Sequence, residues 1–318
     1  MEYRQFGGTE IQVSEIGVGC GGLGGESKQG LEPVIERALD LGINLFDTCD
    51  TYAETKSEQT LGRVFKNYPR DRIVICTKFG GAFDKDGNWY RDIRLEHLAE
   101  AFVASCRRLQ TDYLDIYLVH TPPKDILQHQ DLIAELDKMV DAGKIRTYGI
   151  SCETGEFGID VITHTKGRAI EMYFNLFAQD PRAPKGPEGS FLDVARQKGV
   201  GIIPKVPIAG GVLSDSFVPD NPPPTDRRLK AWGPEKYARF AEMYKKVKPI
   251  LTANGRTMAQ GAMAWLLTFP EVSTLIPGIS SMQRLEETAA AAGMRLTPAE
   301  MAALDALDGG VLVNRRVE

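Results

Sequence analysis

The stretch Leu114-Asp115-Ile116-Tyr117-Leu118-Val119-His120 is a short, mostly apolar run that ends in a histidine. Three other runs have the same form and also end in a polar residue: Ile43-Asn44-Leu45-Phe46-Asp47, Ile73-Val74-Ile75-Cys76-Thr77-Lys78 and Ile145-Arg146-Thr147-Tyr148-Gly149-Ile150-Ser151. Such runs are typical of buried strands. In a β/α barrel, the carboxyl ends of successive strands meet at one mouth, where the chemistry is carried out. We therefore expect Asp47, Lys78, His120 and Ser151 to lie close together in space.

Strand-like and helix-like stretches alternate along most of the chain, in about eight units, which predicts an α/β fold, a (β/α)8 TIM barrel formed by residues 1–318 as a single domain. A short hairpin, Tyr3–Gln5 with Ile11–Val13, precedes the first barrel strand at Ile16–Gly19. Further strands are predicted at Ala169–Phe174, Val200–Val206 and Thr274–Ile276. Helices are predicted at Glu32–Leu41, Ser57–Asn67, Leu95–Leu109, Asp131–Ala142, Ser190–Lys198, Glu235–Leu251 and Met258–Thr268, with Ser281–Ala292 and Pro298–Leu307 as the helices that finish the chain. Phe79–Asp92 and the proline-rich Asp215–Thr225 are predicted as long loops.

The bulk composition excludes several classes of protein. The chain is 42% hydrophobic and 25% charged, which is ordinary for a globular protein. Its net charge of -5 and the absence of a basic run argue against nucleic-acid binding, and no apolar stretch is long enough to span a membrane. The residues Met1–Gln5 lack the pattern of a secretory signal, and five scattered cysteines favour reduced thiols over disulfides or a metal site. We therefore expect a cytoplasmic protein without a metal, as a monomer or a homo-oligomer.

A dinucleotide-binding fingerprint is also present, as Gly17-Val18-Gly19-Cys20-Gly21-Gly22. The physical basis of that motif is a helix that begins within it, so that the helix amino terminus meets the pyrophosphate. Here Leu23-Gly24-Gly25-Glu26 follow, and no helix is predicted before about Leu31. A strand-to-helix loop is the preferred interpretation, and a Rossmann domain remains the alternative.

A tyrosine close behind a strand-end aspartate suggests acid–base chemistry. Tyr52 follows Asp47 by five residues. A phenol is normally a feeble acid, but a buried ammonium nearby lowers its pKa, and a carboxylate holds the ammonium in place. Tyr52, Lys78 and Asp47 supply these three parts, and His120 is placed to orient a carbonyl. Each residue alone is also typical of a structural ion pair or of packing.

These residues resemble those of the aldo-keto reductases. The resemblance runs from Met1 to the helix at Pro298–Leu307 and rests on Phe46-Asp47-Thr48 with Tyr52, Thr77-Lys78, Asp115-Ile116-Tyr117-Leu118-Val119-His120, Gly149-Ile150-Ser151 and Ile276-Pro277-Gly278. It implies a barrel that binds an extended nicotinamide dinucleotide, usually NADPH, and that interconverts carbonyls and alcohols. It implies Tyr52 as general acid, Lys78 and Asp47 as the pair that tunes it, and His120 as the residue that orients the substrate.

The resemblance also implies cofactor-binding positions, several of which depart from the family. Ser151 matches a serine that contacts the nicotinamide carboxamide, whereas Cys152 replaces an asparagine and Glu171 a glutamine. Lys205 stands where the family places an aromatic ring that stacks on the nicotinamide. Because a lysine cannot stack in that way, we expect either a more weakly held nicotinamide or a contact of Lys205 with a phosphate or an acidic substrate. A salt bridge of Lys205 with Glu171 or another acid is the structural alternative. The cofactor is expected to lie in a groove that is lined by the backbone of Gly19, Cys20, Gly21, Val206, Pro207, Ile208 and Gly210.

The adenine end of the cofactor is expected at the last strand. Gly278 and Ser280 lead into the helix predicted from about Ser281, which carries Arg284 and Glu287. A helix amino terminus favours an anion, and an arginine can clamp a 2′-phosphate. A surface arginine–glutamate arrangement is the alternative, and Thr288 replaces an asparagine of the family. NADP(H) is therefore expected, with NAD(H) as the alternative.

The expected function is that of an NADP(H)-dependent oxidoreductase, which transfers hydride between the cofactor and an aldehyde or ketone, such as a sugar or small aromatic carbonyl, or the matching alcohol. The substrate pocket is expected to be lined by Phe83, Trp89 and Tyr90, together with Tyr52 and His120. A cofactor-binding regulatory subunit of the same fold, with little turnover, is the alternative. The identity of the substrate and the physiological direction do not follow from the sequence.

Overall fold

The fold is built around a ring of parallel strands. The computed structural model describes residues 1–21 and 32–307. Within these residues the strands are β1 (Tyr3–Gln5), β2 (Gln12–Ser14), β3 (Val18–Gly19), β4 (Leu45–Asp47), β5 (Val74–Phe79), β6 (Gly81–Phe83), β7 (Trp89–Arg91), β8 (Leu114–His120), β9 (Ile145–Cys152), β10 (Ala169–Tyr173) and β11 (Gly201–Lys205). The α-helices are α1 (Glu32–Asp40), α2 (Lys56–Phe65), α3 (Leu95–Leu109), α4 (Gln130–Asp141), α5 (Gly155–His164), α6 (Phe191–Lys198), α7 (Arg227–Leu251), α8 (Met258–Leu267), α9 (Met282–Ala289) and α10 (Pro298–Ala306).

One curved parallel sheet carries seven of the described strands, in the order β11-β10-β9-β8-β5-β4-β3. The segment that follows α8 joins the two edges of this sheet. On one side Ser273 N donates to Ile202 O at 3.0 Å, and on the other Gly17 N donates to Leu275 O at 2.7 Å. The predicted last strand is therefore present as isolated parallel bridges rather than as a continuous strand. The prediction of a (β/α)8 barrel is confirmed, and no separate Rossmann sheet occurs among the described residues.

The barrel interior is filled with side chains, and the N-terminal hairpin closes one end. Phe6, Ile11 and Val13 from the hairpin pack against inward-facing strand residues such as Leu118 and Ile203. Gly8 N donates to Gly199 O at 2.8 Å, which holds the hairpin at the ends where the strands begin. The opposite end, where the strands finish, remains for the functional groups.

Most predicted helices form within a few residues of their predicted bounds, since the sequence provides caps. Gly42 and Gly143 end α1 and α4 with φ values of +82° and +69°, a conformation that glycine adopts without steric cost. Three N-terminal capping boxes start α6, α8 and α10. The predicted loop around Gly22–Leu31 lies outside the described residues.

Three elements differ from the prediction. Phe79–Asp92 is not a plain loop, because β6 and β7 form an antiparallel hairpin closed by Asp84, whose backbone N donates to Asn88 O at 3.0 Å. Helix α5 was not predicted; glycines and β-branched residues make it a weak helix former, and it forms where its apolar side chains pack on the barrel. Helix α7 begins earlier than predicted, and a kink at Gly233 (φ 77°, ψ 168°) separates the added part.

No helix among the described residues is long and apolar enough to cross a membrane. The five cysteines are buried and form no disulfide in this part of the chain.

Candidate active site

Strand register gathers the predicted polar residues at one end of the barrel. His120 pairs with Ser151, and Ser151 pairs with Glu171, so these three residues form one layer across β8, β9 and β10. Asp47 ends β4, and Lys78 lies on the adjacent strand β5. The polar strand ends predicted from the sequence therefore meet at one mouth.

Lys78 is the centre of the cluster. Its side chain is fully buried, and Nζ lies 2.5 Å from Asp47 Oδ2 and 2.9 Å from Glu171 Oε2. Nζ also donates to Thr48 O at 3.0 Å. A buried ammonium needs such partners because it has lost its hydration. The ammonium thus has two carboxylates, of which only Asp47 was predicted as its partner.

Tyr52 lies in the loop after β4, directly beside this ammonium. Its ring centroid is 5.4 Å from Lys78 Nζ and 6.1 Å from the His120 ring, which it meets edge to face. The next residues, Ala53, Glu54 and Thr55, have φ values of 50°, 54° and 70°. Non-glycine residues in this left-handed region cost roughly 1 kcal/mol or more each, and such strain clusters at functional sites. The turn fixes the direction in which Tyr52 leaves the backbone.

The protonation preference of Tyr52 differs from the one expected. The Lys78 ammonium lowers the pKa of Tyr52, but burial together with Asp47 and Glu171 outweighs it, so the pKa lies above the usual value. From the sequence we expected a lowered pKa for Tyr52, because only one carboxylate, Asp47, was predicted as a partner of Lys78. With two carboxylates the charge of Lys78 is already compensated, and less of it remains for the phenolate. Tyr52 is therefore a phenol at neutral pH.

The two carboxylates respond to each other and to the ammonium between them. Burial and the neighbouring Glu171 raise the pKa of Asp47, although Lys78 opposes this. Glu171 is equally buried, but Lys78 and Lys205 hold its pKa below the usual value. A proton taken up by the pair would therefore reside on Asp47.

His120 is uncharged in this environment. Burial, with the charges of Lys78 and Lys205, lowers its pKa to about 4. A neutral imidazole presents one N–H donor and one acceptor. Nδ1 lies 3.3 Å from Cys49 Sγ, and Asp50 Oδ1 lies 3.2 Å from the same sulfur, so the single S–H proton serves only one of these two contacts. When it is donated to Nδ1, the imidazole proton lies on Nε2. Cys49 was not predicted as a site residue; its position three residues before Tyr52 was the only signal in the sequence.

Lys205 is connected to the cluster through a hydroxyl and not through a salt bridge. Its Nζ donates to Ser151 Oγ at 3.2 Å, and Ser151 Oγ donates to Glu171 Oε1 at 3.0 Å. Within residues 1–21 and 32–307, no carboxylate oxygen lies within 4.0 Å of Lys205 Nζ. The suggested salt bridge to an acid is therefore absent there. Cys152, at the end of β9, is buried, and burial raises the pKa of its thiol to about 12.

The predicted glycine-rich groove borders the mouth. Gly19 and Gly278 are joined by a parallel bridge, and Cys20 N donates to Asp47 O at 2.8 Å. A Cβ atom added to Gly21 would meet the Tyr52 ring at 3.7 Å, so the backbone there reaches the candidate acid. A Cβ atom added to Gly278 would have nothing within 4 Å, so the open part of this groove is at Gly278.

A second segment of the predicted groove follows β11. Val206 has a φ of 57°, and Ala209 N donates to Val206 O at 2.9 Å. Gly210 lies under the Trp232 ring, which a Cβ atom would contact at 3.4 Å. Pro207 and Ile208 lie in the same turn, so the segment leaves the barrel directly from Lys205.

The predicted adenine end lies at the start of α9. Ser281 caps this helix by accepting a hydrogen bond from Arg284 N at 3.2 Å, and Ser280 precedes the cap. Arg284 is half-buried, and no carboxylate of the described residues lies within 4.0 Å of its guanidinium, so a salt bridge with Glu287 is absent. Thr288 is turned onto its own helix, since Oγ1 donates to Arg284 O at 2.9 Å.

The predicted pocket aromatics occur on the β6–β7 hairpin. Phe83 and Trp89 are paired and therefore share a face, whereas Tyr90 points to the other face. The Trp89 ring centroid lies 6.4 Å from that of His120. Trp89 thus forms a wall beside His120, and Tyr90 does not share that wall.

Comparisons with known proteins bear on the family and the fold of this chain. The model of the Aldo/keto reductase family matches residues 15–309. The aldo-keto reductase yakc of Schizosaccharomyces pombe, whose name specifies NADP(+), is 30% identical over 96% of this chain and 91% of its own length. The NADH-specific methylglyoxal reductase of Escherichia coli is 25% identical over 94% of this chain and 96% of its own length. The holo form of aldo-keto reductase AKR11C1 from Bacillus halodurans superimposes with a TM-score of 0.81, at 27% identity over 99% of both chains.

Proposed function

The chain belongs to the aldo/keto reductase family of oxidoreductases, and from this premise we propose that it is an NADP(H)-dependent enzyme that interconverts an aldehyde or ketone and the matching alcohol. Tyr52 is the general acid and base of this reaction, Lys78 and Asp47 support it, and His120 orients the substrate. Members of the family bind nicotinamide cofactors, which supply or accept the hydride.

One observation carries the proposal: the Tyr52 ring lies close to both a fully buried ammonium and an uncharged imidazole. Lys78 Nζ is 5.4 Å from the centroid of the Tyr52 ring, and the centroid of the His120 ring is 6.1 Å from it. A carbonyl oxygen that gains negative charge needs a hydrogen-bond donor to hold it and a proton to complete it. His120 and Tyr52 provide these two groups.

The chain's own residues account for the proton transfer. The N–H of neutral His120 donates to the carbonyl oxygen and holds it near Tyr52. Tyr52 gives its proton to that oxygen as charge develops there. The phenolate that remains is stabilised by the Lys78 ammonium, which Asp47 and Glu171 keep in position. Because the resting pKa of Tyr52 is raised, the residue is protonated at neutral pH, as reduction requires.

The residues present fit a nicotinamide dinucleotide. Ser151 and Glu171 lie side by side at the mouth and offer a hydroxyl and a carboxylate to a carboxamide. At the other end, Arg284 is half-buried at a helix amino terminus without a carboxylate partner among the described residues. A planar guanidinium there suits a 2′-phosphate. Relatives named for NADP and for NADH both occur, and Arg284 is the reason for proposing NADP(H).

The test is oxidation of NADPH with para-nitrobenzaldehyde, followed for wild type and Tyr52→Phe. General acid catalysis contributes typically 10²- to 10⁴-fold, so kcat should fall by roughly that factor. Binding of NADPH, measured by fluorescence, should be unchanged, since only the proton donor is removed. Tyr113→Phe is the matched control, because Tyr113 precedes β8 at the opposite end of the barrel from His120.

Retained turnover in Tyr52→Phe would remove Tyr52 as the acid. Tight NADPH binding by wild type without turnover of any carbonyl would instead favour the alternative, a cofactor-binding regulatory subunit.

A further inference from the structure

The thiol of Cys49 is shared by the residue that orients the substrate and by a second acid, Asp50. Cys49 Sγ lies 3.3 Å from His120 Nδ1 and 3.2 Å from Asp50 Oδ1. Cys49 and Asp50 follow β4, whereas His120 ends β8, so the three side chains meet only in the folded barrel. Because Nδ1 faces the thiol, Nε2 is the nitrogen left for a carbonyl, and it has no hydrogen-bond partner among the described residues.

The thiol has one proton to donate, and several acceptors compete for it. Besides the imidazole and the carboxyl, Thr51 Oγ1 lies at 3.2 Å and Lys78 O at 3.9 Å from Sγ. The Thr51 hydroxyl brings a proton of its own, and the carbonyl is more distant, so His120 Nδ1 and Asp50 Oδ1 are the main competitors. An ionised Asp50 is the stronger acceptor, since hydrogen bonds to a charged group are roughly twice as strong as neutral ones.

The group that receives the thiol proton decides which nitrogen of neutral His120 carries the hydrogen. When Asp50 is ionised, the S–H of Cys49 points to Oδ1, the sulfur accepts from Nδ1–H, and Nε2 is left as an acceptor. When Asp50 is protonated, the S–H donates to Nδ1, and the hydrogen lies on Nε2. A hydrogen on Nε2 holds a carbonyl oxygen, whereas a lone pair there repels it.

The surroundings of Asp50 allow it to hold a proton near neutral pH. The residue is 8% exposed and forms no ion pair within the described part of the chain. From α2 the carboxylate of Glu58 opposes a charge on Asp50; from α3 Arg108 favours one, but its guanidinium already binds Glu58 at 2.6 Å. Tyr117 on β8 adds a buried phenol on a third side. Burial raises the pKa of Asp50 to about 7, with Glu58 adding to the rise and the Cys49 contact opposing it.

The imidazole itself does not change charge in this range. Burial, Lys78 and Lys205 hold the pKa of His120 at about 4, although Glu171 opposes them. The Tyr52 ring, which meets the imidazole edge to face, is an uncharged phenol. Between about pH 5.5 and about pH 9 the ring therefore stays neutral, and only its tautomer responds to Asp50.

Resting on the proposed function, we propose that Cys49 and Asp50 are positioning residues for His120: the thiol relays the ionisation state of Asp50 to the imidazole, and only protonated Asp50 gives His120 an Nε2–H donor for the substrate carbonyl. The proton on Asp50 comes from solvent and is not consumed, since the reaction draws its proton from Tyr52. Reduction is therefore favoured below the pKa of Asp50 and declines as pH rises through it. The donor matters most as the oxygen gains charge, so kcat and kcat/KM fall together.

The first measurement reads the tautomer directly, without cofactor, substrate or turnover. Long-range ¹H–¹⁵N NMR of protein labelled at its four histidines distinguishes a protonated ring nitrogen from an unprotonated one, and the spectrum of His120→Gln assigns the His120 signals. Wild type should show Nε2–H at about pH 5.5 and shift toward Nδ1–H at about pH 9. Asp50→Asn should keep Nε2–H at both values, because the amide cannot ionise. Cys49→Ala should show a ratio of tautomers that does not depend on pH.

The second measurement follows reduction of para-nitrobenzaldehyde by NADPH over the same pH range. Wild-type kcat should fall roughly 10-fold, a part of the 10²- to 10³-fold that one donor to a developing oxyanion contributes. Asp47 can add a pH dependence of its own, because burial and Glu171 raise its pKa. The ratio of Asp50→Asn to wild type at each pH removes that contribution and should rise with pH. Cys49→Ser should keep the response that Cys49→Ala loses, since a hydroxyl also donates to Nδ1.

Cys106→Ala and Asp141→Asn are the matched controls, a buried thiol on the outer helix α3 and a carboxylate that ends α4. Both should keep the tautomer shift and the pH profile of wild type. A wild type whose His120 has the same tautomer at both pH values would overturn the proposal, and so would a shift that persists in Asp50→Asn. If Asp50→Asn does not fold, by far-UV circular dichroism, a shift that persists in Cys49→Ala is the overturning result.

A failure of the proposed function would look different. If wild type shows the tautomer shift but reduces no carbonyl at any pH, the link from Asp50 to His120 is upheld and the oxidoreductase is in question. If the tautomer shifts while the ratio of Asp50→Asn to wild-type kcat stays constant with pH, Nε2–H is not the donor that reduction needs, and the positioning role is refuted.

Discussion

Replacing Glu171 by glutamine should shift the pH dependence of the reaction in a defined direction. Glu171 is the second carboxylate on Lys78, at 2.9 Å from Nζ, and it is one of the groups that raise the pKa of Tyr52. The glutamine removes its negative charge and keeps its volume. Phenolate then becomes easier to form, so the pKa of Tyr52 falls. Reduction needs the phenol and is lost as pH rises through this pKa, so the variant should lose reduction at a lower pH than wild type.

The size of this effect follows from the distances through Lys78. Nζ is 2.9 Å from Glu171 Oε2 and 5.4 Å from the Tyr52 ring centroid, so the carboxylate lies within about 8 Å of the ring. At an effective dielectric constant of about 20, the interaction is about 2 kcal/mol. That energy changes the ratio of phenolate to phenol by roughly 30-fold. Asp47 does not offset the change, because it is ionised in both proteins at alkaline pH.

The assay measures kcat in both directions from neutral pH to about pH 11. Over this range Tyr52 stays mainly the phenol in both proteins, so loss of the phenol should cause no alkaline decline in the reduction of para-nitrobenzaldehyde by either. Oxidation of para-nitrobenzyl alcohol needs phenolate and should be roughly 30-fold faster in Glu171→Gln. Glu135→Gln, on the outer helix α4, is the control and should match wild type. Equal rates of oxidation in Glu171→Gln and wild type across this range would refute the coupling of Glu171 to Tyr52 through Lys78.

Two further predictions concern the cofactor and the fold. Arg284→Ala should weaken NADPH binding by roughly 10- to 100-fold and NADH binding little, because only NADPH has the 2′-phosphate; Arg37→Ala on neighbouring α1 is the control, and equal losses for both cofactors would remove Arg284 from that site. Gly149→Ala should lower the free energy of unfolding by about 3 kcal/mol or more in urea, since a Cβ atom there overlaps the Ala169 carbonyl oxygen of the adjacent strand. Gly278→Ala, with nothing within 4 Å of its added Cβ, should unfold nearly as wild type does, and similar midpoints for the two variants would contradict this account of Gly149.

The barrel was predictable because its signals are local. Apolar runs such as Leu114–His120 and glycine stops such as Gly143 each mark an element without reference to the rest of the chain. The β6–β7 hairpin carried a local signal too, the pair Asp86-Gly87 between aromatic residues, which is a turn sequence of hairpins. Helix α5 carried one local signal, the N-cap Thr154, but it depends on packing against the barrel more than on its own propensity.

The site was predictable only in part, since contacts between strands depend on register. That Asp47 and Lys78 lie at strand ends follows from the pattern of residues. That Glu171 reaches Lys78 requires β10 to be aligned with β9 and with the barrel interior, which no local pattern indicates. The same holds for Cys49, in the loop after β4, and His120, at the end of β8, because Cys49 Sγ and His120 Nδ1 come within 3.3 Å only in the folded barrel. The direction of the Tyr52 pKa was mistaken for this reason, because it depends on a contact that only the folded barrel creates.

Two charged residues at the mouth, Glu171 and Lys205, depart from the family pattern, and they are best understood together. A second carboxylate on Lys78 alone would leave Asp47, Lys78 and Glu171 with a net negative charge, which is costly in a buried cluster. Lys205 supplies the balancing charge, and Ser151 links it to Glu171 by accepting one hydrogen bond and donating the other. The charge of Lys205 also helps to hold the pKa of Glu171 below its usual value. A glutamate at position 171 and a lysine at position 205 therefore compensate each other.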